Sequence, residues 1–444
     1  MRFRSTRGSA TVTLDEALLA GIADDGGLYL TDRLPHFTVA DFDAAQGIGD
    51  TARILFAPFF AGSTLAADID AIVAETFSFP MPCSVLPHTD GHAFLLELFH
   101  GPTAAFKDVG AGFLAACLTR LRRGTEQPLT ILVATSGDTG SAVAAAFDGK
   151  PGMRVAILYP DGRVSARQEH QLGCWGDNVL SLAVDGAFDD CQAMVKAAFA
   201  DRALATRYHF SSANSINIGR LLPQSAYYAA ASLQHLRTTG RQAGFVIPTG
   251  NLGNALACIL ARDMGLPIAD IVLACNQNRL IADYLDGAPW QARSSIETLA
   301  SAMDVGDPSN MERLRALHGD AAQLAGLLRA CVADDADIEA EIRRAHAEFG
   351  VALCPHTATA VHAWRQLPAE ERERDWILVA TAHAAKFESI VEPLIGGPVV
   401  PPPELARMLS RPNRKTRIAA TLSALSDALA AAWRVDGNTI GRDK

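Results

Sequence analysis

Lys107 is the residue whose type and surroundings most directly suggest chemistry. It lies in the mostly apolar segment HGPTAAFKDVGAGFL, residues 100–114, directly before a predicted helix. An ammonium in apolar surroundings loses hydration, which lowers its pKa and leaves a nucleophilic amine that can form a Schiff base. Since most single lysines are solvated surface charges, motifs elsewhere in the chain must decide between these two interpretations.

Two glycine-rich turns are candidate anion sites. The segments TSGDTGS (135–141) and PTGNLGNA (248–255) each follow a predicted strand and open a predicted helix. Backbone amides and the positive helix end can hold a carboxylate or phosphate there, and Ser136 and Thr139 add hydroxyl donors. The turn at 135–141 could also simply join a strand to a helix. It has neither the GK[ST] ending of a Walker A loop nor the GxGxxG pattern, which weakens a nucleotide-binding interpretation.

A third polar segment, SSANSINIGR (211–220), supplies hydroxyl, amide and guanidinium groups within a short stretch. Arg220 suits bidentate contact with a phosphate. The alternative is a polar loop with a helix-capping Ser or Asn and an ordinary surface arginine. One reactive lysine together with two separate anion-binding turns suits a phosphorylated aldehyde cofactor held covalently, with a second anion bound nearby.

The segment LVATAHAAKF (378–387) places Thr381 and His383 at the end of a predicted buried strand. The Thr381 hydroxyl could hydrogen-bond a ring nitrogen, with helix capping as the competing role.

The twelve histidines form no HExxH motif and no close His/Cys cluster, so no metal site is predicted. A Ser/His/Asp triad stays open on spacing alone, but no GxSxG motif nominates one.

Composition limits the class of protein. The 444 residues exceed the size at which one core keeps growing, so two or more lobes are expected. A net charge of -10 argues against a nucleic-acid or anionic-membrane partner, because both require a basic surface. The eight cysteines are scattered, and no signal segment or apolar run of about 18 to 20 residues is visible. We therefore expect a cytoplasmic protein; its oligomeric state, monomer or homodimer, is left open.

Three regions are predicted along the chain. Residues 1–85 form a small, helix-rich leading domain; residues 86–396 form an α/β region with two lobes; and residues 397–444 form a connector, PVVPPP, a basic stretch at 411–417 and a final helix near 418–433. In the middle region, strands are predicted at 94–99, 129–135, 154–159, 179–184, 244–249, 271–275 and 376–381, alternating with helices at 108–123, 140–147, 188–199, 220–236 and 253–264.

This alternation predicts parallel sheets buried on both faces, since the strands are almost continuously apolar. Open parallel sheets bind ligands at the carboxyl ends of their strands. Both glycine-rich turns lie at such ends, so we expect them to meet at one site.

The motifs together resemble the threonine synthase family, a group of fold type II pyridoxal-phosphate enzymes. The resemblance runs in order through almost the whole chain and rests on RSTRG (4–8), DDGGLYL (24–30), LFHGPTAAFKD (98–108), ATSGDTGSAV (134–143), NSINIGR (214–220), TGNLGN (249–254), SAMDVGDPSN (301–310), CPHTATAVHA (354–363) and TAHAAKF (381–387).

The resemblance implies a two-lobed fold type II architecture, pyridoxal 5'-phosphate as cofactor and O-phospho-L-homoserine as substrate. The implied reaction forms L-threonine and phosphate, the last step of threonine biosynthesis, with Lys107 as the Schiff-base lysine that later moves protons. The implied cofactor contacts are Lys107, the phosphate cup of Gly250, Asn251, Leu252, Gly253 and Asn254, Thr381 at the pyridine nitrogen, and Asp138. The implied substrate contacts are Thr135, Ser136 and Thr139, with Ser215, Asn217 and Arg220 at the substrate phosphate.

Two positions depart from the family pattern. Leu252 stands where an aromatic residue is common, and Asp138 stands where the other main branch carries Asn. The first is consistent with a packing change, whereas the second leaves the role of Asp138 less defined. Two alternatives remain: another fold type II lyase resembling serine or threonine dehydratase, which needs no second phosphate site, and a non-catalytic α/β protein that binds AMP or NAD through its glycine-rich turns.

Overall fold

The fold is given by a computed structural model that describes residues 1–135 and 137–433. Ser136, one of the predicted substrate contacts, and residues 434–444 lie outside the described residues. Two parallel sheets with helices on their faces form two lobes, and a small helix-rich domain precedes them. The predicted two-lobed α/β architecture is confirmed.

The described residues contain fourteen strands. They are β1 Phe3–Ser5, β2 Thr11–Val12, β3 Tyr29–Thr31, β4 Cys83–Val85, β5 Ala93–Glu97, β6 Leu129–Ala134, β7 Met153–Pro160, β8 Val179–Asp185, β9 Phe210–Ser211, β10 Ala243–Pro248, β11 Ile268–Cys275, β12 Arg329–Val332, β13 Trp376–Ala380 and β14 Thr416–Ala419. All seven predicted strands are present.

The helices connect these strands. They are α1 Leu14–Ala20, α2 Ile48–Phe60, α3 Ile69–Thr76, α4 Lys107–Leu121, α5 Asp138–Phe147, α6 Ala166–Gly173, α7 Phe188–Ala200, α8 Arg202–Tyr208, α9 Ile218–Leu221, α10 Gln224–Thr239, α11 Gly253–Asp263, α12 Leu280–Leu285, α13 Met311–His318, α14 Ala321–Ala325, α15 Asp335–Phe349, α16 Pro355–Arg365, α17 Ala369–Arg372, α18 Glu388–Ile395, α19 Pro403–Leu409 and α20 Leu422–Ala432. Short 3₁₀ segments include Ser301–Met303 and Ala384–Phe387.

The two large sheets are almost entirely parallel. One has the strand order β12-β11-β10-β13-β5-β4, in which only β4 pairs antiparallel, and the other has the all-parallel order β14-β8-β7-β6-β9. Every residue of β6, β10 and β13 is buried. Since both faces of these central strands are covered by helices, their continuous apolar sequences have no solvent-facing positions to alternate with.

The leading domain is anchored to the catalytic region through charged side chains. Its strands form a small antiparallel sheet, β2-β1-β3, beside α1, α2 and α3. Arg7 donates to Glu312 through Nε at 2.9 Å and Nη2 at 2.8 Å, a paired contact that an arginine fork makes with a carboxylate. Thr6 also donates to Glu312. The RSTRG motif therefore docks the leading domain beside the 301–310 segment.

The C-terminal segment returns to the β6-containing sheet rather than forming a separate unit. The edge strand β14 begins at the end of the basic stretch and pairs parallel to β8, so the final helix begins only at Leu422. Lys415 lies 2.7 Å from Glu169 and 3.4 Å from Asp161, and these contacts neutralise part of the basic charge. No helix in the described ranges is long and apolar enough to cross a membrane.

Candidate active site

A cavity of about 310 Å³ lies at the carboxyl ends of the central strands. The predicted site residues that line it are Lys107, Thr135, Asp138, Thr139, Ser215, Arg220, Gly250, Asn251, Leu252, Gly253, Asn254 and Thr381. The fold thus brings both glycine-rich turns, the lysine and the strand-end threonine to one place. Asn217 is not among the lining residues, and Ser136 falls outside the described residues.

Lys107 is the first residue of α4 and sits on a segment tied to β13. Phe106 donates its backbone N–H to the Thr381 carbonyl at 2.8 Å, and His383 donates to the Ala104 carbonyl at 3.0 Å. Ala104 adopts a left-handed conformation with φ of 54°, which is uncommon for a residue with a Cβ. These bonds hold the turn that presents Lys107 and fix it relative to Thr381.

The surroundings of Lys107 favour a neutral amine. Burial lowers its pKa, the nearby Asp138 carboxylate opposes that change, and the charges of Lys386 and Arg220 lower the pKa further. The lysine also begins a helix, whose positive end disfavours an ammonium. The Lys107 Nζ lies 3.5 Å from Asp138 Oδ2, within reach for proton exchange through a small movement.

Asp138 is the first residue of α5 and remains ionised. Its Oδ1 lies 2.8 Å from Lys386 Nζ and accepts from Gln168 Nε2 at 3.1 Å. Burial by itself would raise the pKa of Asp138, but the positive charge of Lys386, joined by that of Lys107 in its protonated form, outweighs burial and holds the pKa well below its usual range. Lys386 was not predicted as a site residue, although it lies in the TAHAAKF motif.

The turn at residues 248–255 is shaped to bind an anion. Leu252 has φ of 60°, and α11 begins at the next residue. No described residue accepts a hydrogen bond from the backbone amides of 250–254, so these donors remain available at a helix N-terminus. A Cβ on Gly250 would lie 2.6 Å from the Met303 Cα, so glycine lets the turn approach the 301–310 segment closely.

The two asparagines of this turn have different tasks. Asn251 donates to Ser215 Oγ at 2.5 Å and accepts from the Ser309 amide at 2.6 Å, so it joins three segments around the cavity. Asn254 Oδ1 accepts from the hydroxyls of Tyr227 and Tyr228. The Asn254 Nδ2 is buried and has no partner among the described residues. A buried, unpaired donor beside free amides fits a bound phosphate.

A second group of side chains with the chemistry to bind an anion also lines the cavity. The buried Arg220 guanidinium donates to the carbonyl of Ala213 and, at 3.5 Å, to that of Lys107, whereas its Nε has no partner among the described residues. Burial lowers the pKa of Arg220 to about 10, which leaves the group protonated at neutral pH. Ser215, Thr139 and Asn214 line the same cavity.

Asn217 has a structural task instead of the predicted phosphate contact. Its Nδ2 donates to the carbonyls of Leu18 at 3.0 Å and Ser212 at 3.2 Å, and its Oδ1 accepts from the Gly219 amide at 2.9 Å as the cap of α9. These contacts use both the Nδ2 and the Oδ1 of Asn217. The geometry therefore favours Asn214, three residues earlier in the same motif, as the amide that faces a ligand.

The 301–310 segment lies along one side of the cavity and is held there by His356, which was not predicted as a site residue. His356 lines the cavity, and its Nε2 accepts from the Ala302 amide at 3.0 Å. Burial lowers the pKa of His356 to about 4, so the imidazole is neutral at neutral pH and can keep accepting this bond. Burial also raises the pKa of Asp304, on the same segment, to about 7. His356 belongs to the CPHTATAVHA motif, which was the available signal.

No group of three or more His, Cys, Asp or Glu side chains that could hold a metal ion occurs within residues 1–135 and 137–433. The acidic and basic side chains that line the cavity are those of Lys107, Asp138, Arg220, Arg293, Asp189, Asp304 and Asp307.

Three family models match the chain and together cover almost all of it. The model described as pyridoxal-phosphate dependent enzyme matches residues 81–382. The model described as threonine synthase N terminus matches residues 2–77, and the one described as threonine synthase, C-terminal, matches residues 357–429.

Characterised relatives and solved structures agree with these models. Threonine synthase of Escherichia coli is 37% identical over 93% of this chain and 95% of its own length, and that of Serratia marcescens is 38% identical over 89% and 91%. The crystal structure of PLP-bound threonine synthase from Brucella melitensis superposes with a TM-score of 0.88 at 33% identity, covering 98% of this chain and all of that one.

Proposed function

The chain belongs to the threonine synthase family of pyridoxal-phosphate-dependent lyases, and from that premise we propose that the cavity around Lys107 converts O-phospho-L-homoserine and water into L-threonine and phosphate. The observation that carries the proposal is that one cavity joins a buried amine with two unpaired donors, the Asn254 Nδ2 beside the free amides of 250–254 and the Nε of the charged Arg220. A dehydratase-like lyase needs only one phosphate site. A protein that only binds a nucleotide would have no chemical use for the buried amine of Lys107.

The residues present fit pyridoxal 5'-phosphate. When bound, this cofactor supplies an aldehyde that joins covalently to an amine and a conjugated ring that stabilises carbanions. Lys107 would hold the aldehyde carbon, and the amides of 250–254 with the Asn254 Nδ2 would hold the cofactor phosphate. Thr381, at the end of β13, would present its hydroxyl to the pyridine nitrogen. Asp138 would face the ring from α5.

The second set of donors would hold the substrate. Arg220, Ser215 and Asn214 surround space for a phosphoryl group, with the Thr139 hydroxyl beside them. Thr135 accepts from the amides of Gly137 and Gly140, which fixes the turn against which the substrate carboxylate would lie. Ser136 stays a predicted contact to that carboxylate.

Lys107 is the residue that moves protons. As a free amine, its Nζ would take the proton from the substrate α carbon and would then move protons at the β and γ carbons as phosphate leaves and water adds. Burial, which lowers the pKa of Lys107, brings this base closer to working pH and so makes repeated transfer efficient. Arg220 meanwhile stabilises the charge of the departing phosphate because it stays protonated.

The decisive experiment measures phosphate release and threonine formation from O-phospho-L-homoserine by the reconstituted enzyme. We expect both products in equal amounts, and no keto acid from threonine under the same conditions. Lys107→Ala should abolish turnover, and a borohydride-reduced wild-type enzyme should carry the cofactor on Lys107. Keto-acid release from threonine without threonine formation from phosphohomoserine would support the dehydratase alternative instead. A cytoplasmic location and a monomeric or homodimeric state stay predictions.

A further inference from the structure

A buried carboxylate lies between two lysines in the cavity wall. Lys386 has no exposed surface; its Nζ lies 2.8 Å from Asp138 Oδ1 and donates to the Thr103 carbonyl at 2.8 Å. The Lys107 Nζ lies on the other side of the carboxylate, 3.5 Å from Oδ2. The shorter distance makes Lys386, rather than Lys107, the closer counter-ion of Asp138.

The backbone around Lys386 holds this arrangement in place. Lys386 lies in the 3₁₀ segment that follows β13, whereas Asp138 begins α5, which follows a strand of the other sheet. The Lys386 carbonyl accepts from Ser165 Oγ at 2.9 Å, and Gln168, on the helix that Ser165 caps, donates to Asp138. The ion pair therefore joins elements of the two lobes at a fixed distance from Lys107.

A buried carboxylate needs a counter-charge, because an unpaired ion in the interior is strongly destabilised. If Lys386 were absent, the lysine left beside Asp138 would be Lys107, and the pair would stabilise the ammonium form of Lys107. An ammonium can neither attack an aldehyde nor accept a proton.

We propose that Lys386 is a positioning residue that supplies the counter-charge of Asp138 and thereby leaves the Lys107 amine free to react. The inference rests on the proposed role of Lys107. The charged and titratable groups that face Lys107 are Asp138, Lys386, Arg220 and His356. The pKa of His356 is lowered to about 4 by burial, so its ring adds no charge near neutral pH.

The test measures how fast an amine-reactive reagent labels Lys107 in the cofactor-free protein across a pH series, with the labelled peptide quantified by mass spectrometry. For Lys386→Met, we expect the labelling profile to move about one pH unit or more toward alkaline pH, which reduces the labelling rate roughly tenfold below both midpoints. In Asp138→Asn/Lys386→Met, which removes both charges, the midpoint should return to the wild-type value or below it. Lys196→Met removes a lysine on an exposed face of α7 and should leave the profile unchanged.

The variants separate positioning from a merely structural role. Lys386→Arg keeps the charge and should keep the profile of Lys107. If Lys386→Met does not fold, as judged by circular dichroism, Asp138→Asn alone must shift the profile toward acidic pH, since it removes the attraction that Lys386 offsets. An unchanged profile in Lys386→Met, or an alkaline shift that persists in the double variant, would overturn the inference. Failure of the wild-type protein to bind pyridoxal phosphate on Lys107 would instead overturn the proposed function.

Discussion

The clearest steric prediction concerns Gly250, in the turn proposed to hold the cofactor phosphate. A Cβ added to this residue would lie 2.6 Å from the Met303 Cα and 3.2 Å from the Met303 carbonyl carbon and oxygen. These neighbours are backbone atoms and cannot rotate away. The Met303 region is itself held, because Met303 donates its N–H to the Ala300 carbonyl at 2.9 Å and Ala302 donates to His356 at 3.0 Å.

The size of the effect follows from this contact. Inserting a methyl group into a closely packed position typically costs about 1 to 3 kcal/mol. If displacement of the turn relieves this strain, the amides of 250–254 no longer point together at the cofactor phosphate. The binding free energy of the phosphate then falls by the same amount. Gly250→Ala should therefore weaken cofactor binding by roughly 5- to 150-fold, at about 1.4 kcal/mol per tenfold change.

Gly253 offers a matched comparison in the same turn. A Cβ there would meet nothing closer than the Ser215 Cβ at 3.5 Å and the Asn310 Nδ2 at 3.6 Å, which are ordinary contacts. Titration of each cofactor-free variant with pyridoxal phosphate, followed by absorbance, gives the dissociation constants, and thermal unfolding of the same samples reports any general loss of stability. Gly250→Ala should lose clearly more affinity than Gly253→Ala. Equal affinities for Gly250→Ala and wild type, or equal losses in the two variants, would refute the steric reasoning.

Two further predictions concern the side chains around the cavity. Asn214→Ala should raise the KM for phosphohomoserine with little change in the midpoint of thermal unfolding. Asn217→Ala should instead lower that midpoint, because it removes a hydrogen-bond partner from Leu18, Ser212 and Gly219. The reverse pattern would support Asn217, and not Asn214, as the phosphate contact. For His356, burial lowers the pKa from 6.5 to about 4, so the unfolded chain binds this proton first as pH falls. The free energy of unfolding should consequently decrease between pH 6.5 and 4 by on the order of 3 kcal/mol, and His356→Gln should flatten that part of a denaturation profile measured against pH.

The central strands could be predicted from the sequence because burial on both faces leaves a continuous apolar run. The run at 129–135 corresponds to β6 at Leu129–Ala134, and the run at 376–381 corresponds to β13 at Trp376–Ala380. Edge strands lack this signal. β14, Thr416–Ala419, is mostly exposed and lies in a basic stretch, so its sequence resembles that of a surface loop.

Site residues could be predicted where their chemistry follows from the local sequence. They could not be predicted where their role depends on a partner far away in the chain. A glycine turn between a strand and a helix carries its anion-binding amides wherever the fold places it, so the turn at 248–255 could be named in advance. Lys386 could not be chosen from its neighbours, because its partner Asp138 lies far away in the chain and in the other lobe. The structural contacts of Asn217 were also not predictable, because its side chain donates to a carbonyl of the leading domain, at Leu18, that no local pattern reveals.

The hydrogen bond from Asn217 to the Leu18 carbonyl shows how the leading domain supports the site, although none of its described residues lines the cavity. Arg313, which is fully buried, donates to the carbonyls of Tyr29 in β3 and of Ser215 and Ile216 in the second anion-binding segment. Together with the Asn217–Leu18 bond, this arginine braces the segment that presents Arg220. The turn at 248–255 has no such bond to the leading domain among its described contacts. Residues 2–77, which match the threonine synthase N-terminal model rather than the general pyridoxal-phosphate model, thus support the segment that carries the proposed substrate-phosphate site.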